Sequence, residues 1–184
     1  MRVCGSHLML MLVVMTLAVL PSRGRAEESQ IEIPAQNRAG QKLPPPRPDD
    51  SSAQARAKLL FDAIVHDDPQ RAVDVFFPRS AFLQVKAMSN PGNYYDRLAR
   101  RFESDIHALH QAHPELATAT FDRLELARRG GFVRKGEEGN RLPYWASRHS
   151  FLHYRVGDKA RKFEVRVMIT WGDQWYVIHL SEFK

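Results

Sequence analysis

FLHYRVGDKARKFEVRVMITWGDQWYVIHL, residues 151–180, alternates its two sets of side chains through three consecutive segments. Phe151, His153 and Arg155 share one side of an extended strand and Leu152, Tyr154 and Val156 the other, because side chains alternate across a strand with period two. Gly157-Asp158 interrupts the pattern as a turn. It resumes with Val165, Val167 and Ile169 on one side and Glu164, Arg166, Met168 and Thr170 on the other. Gly172-Asp173 interrupts again, and Trp175, Val177 and His179 then alternate with Tyr176, Ile178 and Leu180. Strands joined by two such turns are two hairpins in a row, an antiparallel meander over residues 142–183.

Upstream of this meander the period changes to that of a helix. Asp50-Ser51-Ser52 is a cap for a helix to His66, with Ala57, Leu60, Phe61 and Ile64 on one stripe. Asp67-Asp68-Pro69 restarts a short helix with Ala72, Val73 and Phe76 inward, Pro78 stops it, and residues 80–86 add a turn or two carrying Phe82, Leu83 and Val85. After the break at Ser89-Asn90-Pro91-Gly92, Asn93 caps the longest helix with Asp96 three places on. Tyr95, Leu98, Phe102, Ile106 and Leu109 form its stripe, and Pro114 ends it. A first strand over 121–127, a Gly130-Gly131 turn into Phe132-Val133 and a polar loop over 135–141 complete the chain. Helices followed by an antiparallel sheet make an α+β domain, expected over 52–184.

Residues 27–51 include Pro44-Pro45-Pro46 and Pro48 and little apolar material, so they read as a Pro-rich tether. Residues 1–26 read as a secretory signal peptide: Arg2, an apolar run from Leu8 to Leu20, then small residues ahead of cleavage after Ala26. The run is shorter than a spanning helix needs, so no integral membrane span is expected after cleavage, and the product is exported, periplasmic or secreted. Cys4, the single cysteine, leaves with the leader, which removes disulfides, iron–sulfur chemistry and a cysteine nucleophile from the mature chain. The full chain carries a net charge of +6; its 27 basic residues less Arg2, Arg23 and Arg25 leave 24 against 21 acidic ones. A weakly basic, mixed surface without a Lys/Arg run points away from nucleic acid.

Leu60-Phe61-Asp62-Ala63-Ile64 with Asp67-Asp68-Pro69 at the front, and residues 163–169 with 175–180 at the back, resemble the nuclear-transport-factor-like group, also called cystatin-like, over residues 53–183. The resemblance implies a strongly curved, mainly antiparallel sheet wrapped around helices, with a conical cavity. Members of the group include isomerases, dehydratases, small-ligand binders and accessory domains, so no reaction is transferred. The acid–base and tyrosine constellation of its steroid-isomerase-like members has no residue-by-residue counterpart here.

His149 and His153 share a strand face with Phe151 and Arg155, and His179 shares one with Trp175 and Val177. If these faces coincide, they and Arg148, with Tyr95 from the long helix, are the candidates to bind a small apolar, aromatic or anionic ligand. The ordinary alternative is that His153 and His179 fill polar niches between sheet and helix. Glu103, His107 and His110, at i, i+4 and i+7, are the candidate metal ligands, weighed against solvated side chains on one helix flank. No cofactor is expected. The reading is an exported small-ligand-binding or accessory interaction domain. One alternative is a cavity isomerase, dehydratase or hydrolase using His153 or His179 within about 3 Å of a carboxylate. The other is a protein-binding module that forms a homodimer through the outer face of its sheet.

Overall fold

The computed structural model describes residues 31–47 and 49–181, so the expected leader lies outside the described residues. Asp50 opens the helical part: its carboxylate accepts from Ser52 N at 2.8 Å and caps α1, Ser51–Val65. Ala57, Leu60, Phe61 and Ile64 form the buried stripe that the spacing predicts. A single 3-10 turn over Pro69–Ala72 leads to α2, Arg79–Val85. The long helix α3, Pro91–Ala112, begins before the expected Asn93. Asn90 is its cap, accepting from Asn93 N at 3.5 Å, and Pro91 occupies the first turn, where its missing N–H is not needed.

Five strands follow: β1 Ala119–Glu125, β2 Gly130–Val133, β3 Tyr144–Val156, β4 Lys159–Trp171 and β5 Gln174–His179. The pairings among these five strands are antiparallel, in the order β1-β3-β4-β5, with β2 also paired to β3. The meander is therefore as read, with turns at Gly157 and Gly172, both at positive φ. Between β1 and β2 the ladder is interrupted, and serines supply the missing bonds. Ser147 Oγ donates to Ala127 O at 2.9 Å, Ala127 N donates to Ser150 Oγ at 3.3 Å, and His149 between them sits at φ 62°.

The sheet is open and curves around α1. Gln54 exchanges two hydrogen bonds with the Leu124 backbone on β1, while Ser52, one half-turn away, donates to Gln174 at the start of β5. One end of one helix thus touches both outer members of the strand order. The far side of β5 is partly paired by residues 75–77, through Phe77 N to Val177 O and Val177 N to Val75 O, both 3.0 Å. The core lies inside this curve: Phe61 meets Phe121 and Tyr154 at centroid distances of 6.0 and 5.9 Å, and Phe76 stacks on Phe102 at 4.9 Å.

The proline-rich stretch departs from the expected tether. Asn37 is fully buried, donating to Pro143 O at 2.9 Å and Thr170 O at 3.3 Å and accepting from Gly172 N at 2.8 Å. Further along, the indole of Trp145 donates to Leu43 O at 2.8 Å and that of Trp175 to Pro46 O at 3.0 Å. Prolines forbid a helix here but leave carbonyls free to accept, so the segment is a strap across the sheet. It covers part of the face that a dimer was expected to use. No helix among the described residues is long and apolar enough to cross a membrane.

Candidate functional site

Paired residues on adjacent strands share a face of the sheet, so the register decides which side chains can meet. Arg148 pairs with Val167, and Val167 with His179, which puts three strands' side chains in one row. The next row is Ala146, Ile169 and Tyr176. His179 joins its row only through a bulge: Met168 pairs with Val177, so Ile178 is an extra residue in β5 before His179 meets Val167. Because one residue of slip moves a side chain to the opposite face, the bulge parts His179 from Trp175 and Val177. Trp175 lies opposite Thr170, which accepts from Trp145 N, and it faces the strap.

The first row and part of the second line a cavity of about 180 Å³ between the sheet, α2 and α3. Its apolar wall includes Phe82 of α2, Leu98 of α3, Val167, Ile169 and Ile178, with Tyr94 alongside. Its polar groups are Lys86, Glu138, Tyr144, Arg148 and His179. The 135–141 loop delivers Glu138 and is tied down by Ala87 N to Gly139 O at 2.8 Å and Arg141 N to Val85 O at 2.7 Å. Glu138 sits at φ 50° between the left-handed glycines 136 and 139, an unusual conformation for a residue with a side chain. Its Oε1 accepts from Arg148 Nη2 and its Oε2 from the Tyr144 hydroxyl at 3.0 Å. That hydroxyl in turn accepts from Asn140 Nδ2 at 3.0 Å.

Burial shapes the protonation of these groups. The Tyr144 phenol is pushed well above its usual range, first by desolvation and then by the Glu138 charge. Desolvation lowers the Lys86 ammonium, with Glu138 acting in the opposite direction. Desolvation also lowers His179; Asp105 opposes that shift and Lys86 adds to it. A phenol and an imidazole held neutral, an ammonium and a guanidinium–carboxylate pair can together orient a small polar ligand against an apolar wall.

Of the residues singled out from sequence, Arg148 and His179 meet here and the others do not. Tyr95 donates to Phe77 O at 2.9 Å and packs on Phe76 and Phe82, each at 5.5 Å; its neighbour Tyr94 is the one at the cavity. His149 pairs with Glu164 at 2.8 Å beside Arg166, and His153 with Glu125 at 2.7 Å. Arg155 is exposed and donates to Asp158 O at 3.1 Å. Glu103, His107 and His110 do not converge: Glu103 is exposed, His107 is paired with Asp67, and His110 Nδ1 lies 2.9 Å from Ile64 O. Helical spacing aligned them, but each imidazole is drawn to the end of α1 instead. No cluster of three or more His, Cys, Asp or Glu suited to a metal occurs among the described residues.

Lys86, Glu138 and Tyr144 were missed by the sequence reading. Lys86 follows a two-turn helix and Glu138 lies in an aperiodic loop, so neither sits on a face that periodicity could assign. Tyr144 carried a usable signal, since it precedes Ala146 and Arg148 by even steps on one strand. Comparisons of the chain with family models, with curated proteins and with solved structures find no match.

Proposed function

We propose that the chain is a small-ligand-binding domain whose ligand occupies the space between α2, α3 and the inner rows of β3, β4 and β5. The observation that carries this reading is the 180 Å³ cavity itself. It persists inside a sheet whose remaining concave surface is filled by Phe61, Leu152, Tyr154 and Phe163. Interiors normally pack with few voids larger than a water molecule. An engineered cavity of about 150 Å³ accepts benzene, so the size here suits a ligand of one ring or a short branched chain.

The curved antiparallel sheet and its helices are compatible with the nuclear-transport-factor-like group, which supports the proposal that the chain belongs to it. Export fits the layout of the leader; a mature product beginning at Glu27 in the culture medium or periplasm is the expected result of expressing the full chain. Catalysis has weaker support. His153 and His149 have carboxylates within 3 Å, but neither histidine lines the cavity.

Native mass measurement of freshly purified mature protein, followed by a thermal-shift screen of single-ring and short-chain compounds, tests the reading. Retained mass or a raised Tm with a defined subset supports it. A clean apoprotein mass with no compound raising Tm contradicts it.

A further inference from the structure

The charges lining the cavity do not cancel. Glu138 is engaged at both oxygens, one on Arg148 and the other on Tyr144, and the Asn140 amide donates to the same Tyr144 hydroxyl. Glu138 and Arg148 neutralise each other. Lys86 remains: among the described residues its ammonium makes one hydrogen bond, a long 3.4 Å contact with the Glu138 main-chain oxygen, and its Nζ stands 5.8 Å from the Tyr144 ring centre. An ammonium has three N–H donors, so two are left for water or for a ligand in the cavity that Lys86 lines.

We infer that the ligand is a small monocarboxylate, its carboxylate on Lys86 Nζ and its apolar body against Phe82, Leu98, Val167 and Ile178. This deepens the proposed function and rests on the cavity being a ligand site. Partial burial makes an ammonium costly unless an opposite charge accompanies it, and a carboxylate placed there removes that cost. The desolvation that lowers the Lys86 ammonium is the same penalty, and a bound anion reverses it. One negative charge is the limit. A second on the same ligand would meet Glu138, whose oxygens are already placed as the cavity's own carboxylate. The apolar lining favours a carboxylate with an apolar body over an inorganic anion, which has nothing to bury against it.

Isothermal titration of the mature chain with benzoate, benzamide and toluene separates the ideas. The three probes share a ring and differ in the group presented to Lys86. The inference predicts that benzoate binds at least about tenfold more tightly than benzamide, a difference of about 1.4 kcal/mol. It also predicts that Lys86→Met removes that preference and that Lys86→Arg keeps it. Equal binding of benzoate and benzamide, or an undiminished preference in Lys86→Met, overturns the carboxylate inference and leaves the cavity as a neutral-ligand site. Toluene binding without benzoate binding does the same. Failure of all three probes overturns the inference and counts against the ligand-site reading as well.

Discussion

His179 reaches the cavity by way of a single extra residue, and it pays for its place there in protonation. Desolvation lowers its pKa from 6.5 in the folded chain, with Lys86 adding to the shift and Asp105 opposing it. The unfolded chain therefore binds the proton more readily, and folding stability falls as pH drops below about 6.5 toward the lowered folded value. Above that window the imidazole is neutral in both states and contributes no slope. Urea unfolding at pH 7.5 and pH 5.5 should show a smaller acid loss in His179→Asn than in the parent chain. An identical acid loss in both would assign the titration elsewhere. Near the cavity the same neutral imidazole can donate or accept a hydrogen bond, whereas a charged one would add a second cation beside Lys86.

At the scale of elements, the short strand β2 and the strap are the parts whose placement depends on backbone rather than on side-chain pattern. Gly130 has φ 130°, and a Cβ there would lie 2.1 Å from Ala146 O. Gly130→Ala should thus force β2 away from β3 and cost at least about 2 kcal/mol, as strain at a special backbone position does. A Tm unchanged from that of the parent would contradict the pairing. The strap depends on Asn37, whose loss leaves Pro143 O and Gly172 N without their side-chain partner inside the protein. Asn37→Ala should destabilise by about 2 kcal/mol, the range for stranding buried polar groups, and shift tryptophan emission to the red as Trp145 and Trp175 are uncovered. Unchanged emission would show that the strap holds without Asn37. The contrast with the meander explains what could be read in advance. Alternation and the two Gly-Asp turns identify β3, β4 and β5 because period two is written in side chains. Indole donors finding the Leu43 and Pro46 carbonyls leave no such mark, since every residue offers a carbonyl.

For the molecule as a whole, curvature turns an ordinary meander into a container. Because α1 touches both β1 and β5, the inner rows of the sheet face helices rather than solvent, and the cavity opens where α2 and α3 fail to fill that space. The α+β class and the helix-then-sheet order were legible from hydrophobic period. The membership of the site is legible only for Arg148 and His179, and alternation groups His179 with Trp175 and Val177 because the Val177-Ile178 sequence gives no hint of a bulge. Lys86 and Glu138 became visible only when the loop was seen bound to the end of α2. The measurement that tests the account most directly is methyl NMR of the purified chain titrated with a compound that raises its Tm. The account predicts that Leu98, Val167, Ile169 and Ile178 shift together while methyls away from the cavity, such as those of Leu43 and Val73, stay in place. Shifts confined to methyls outside the cavity would contradict it.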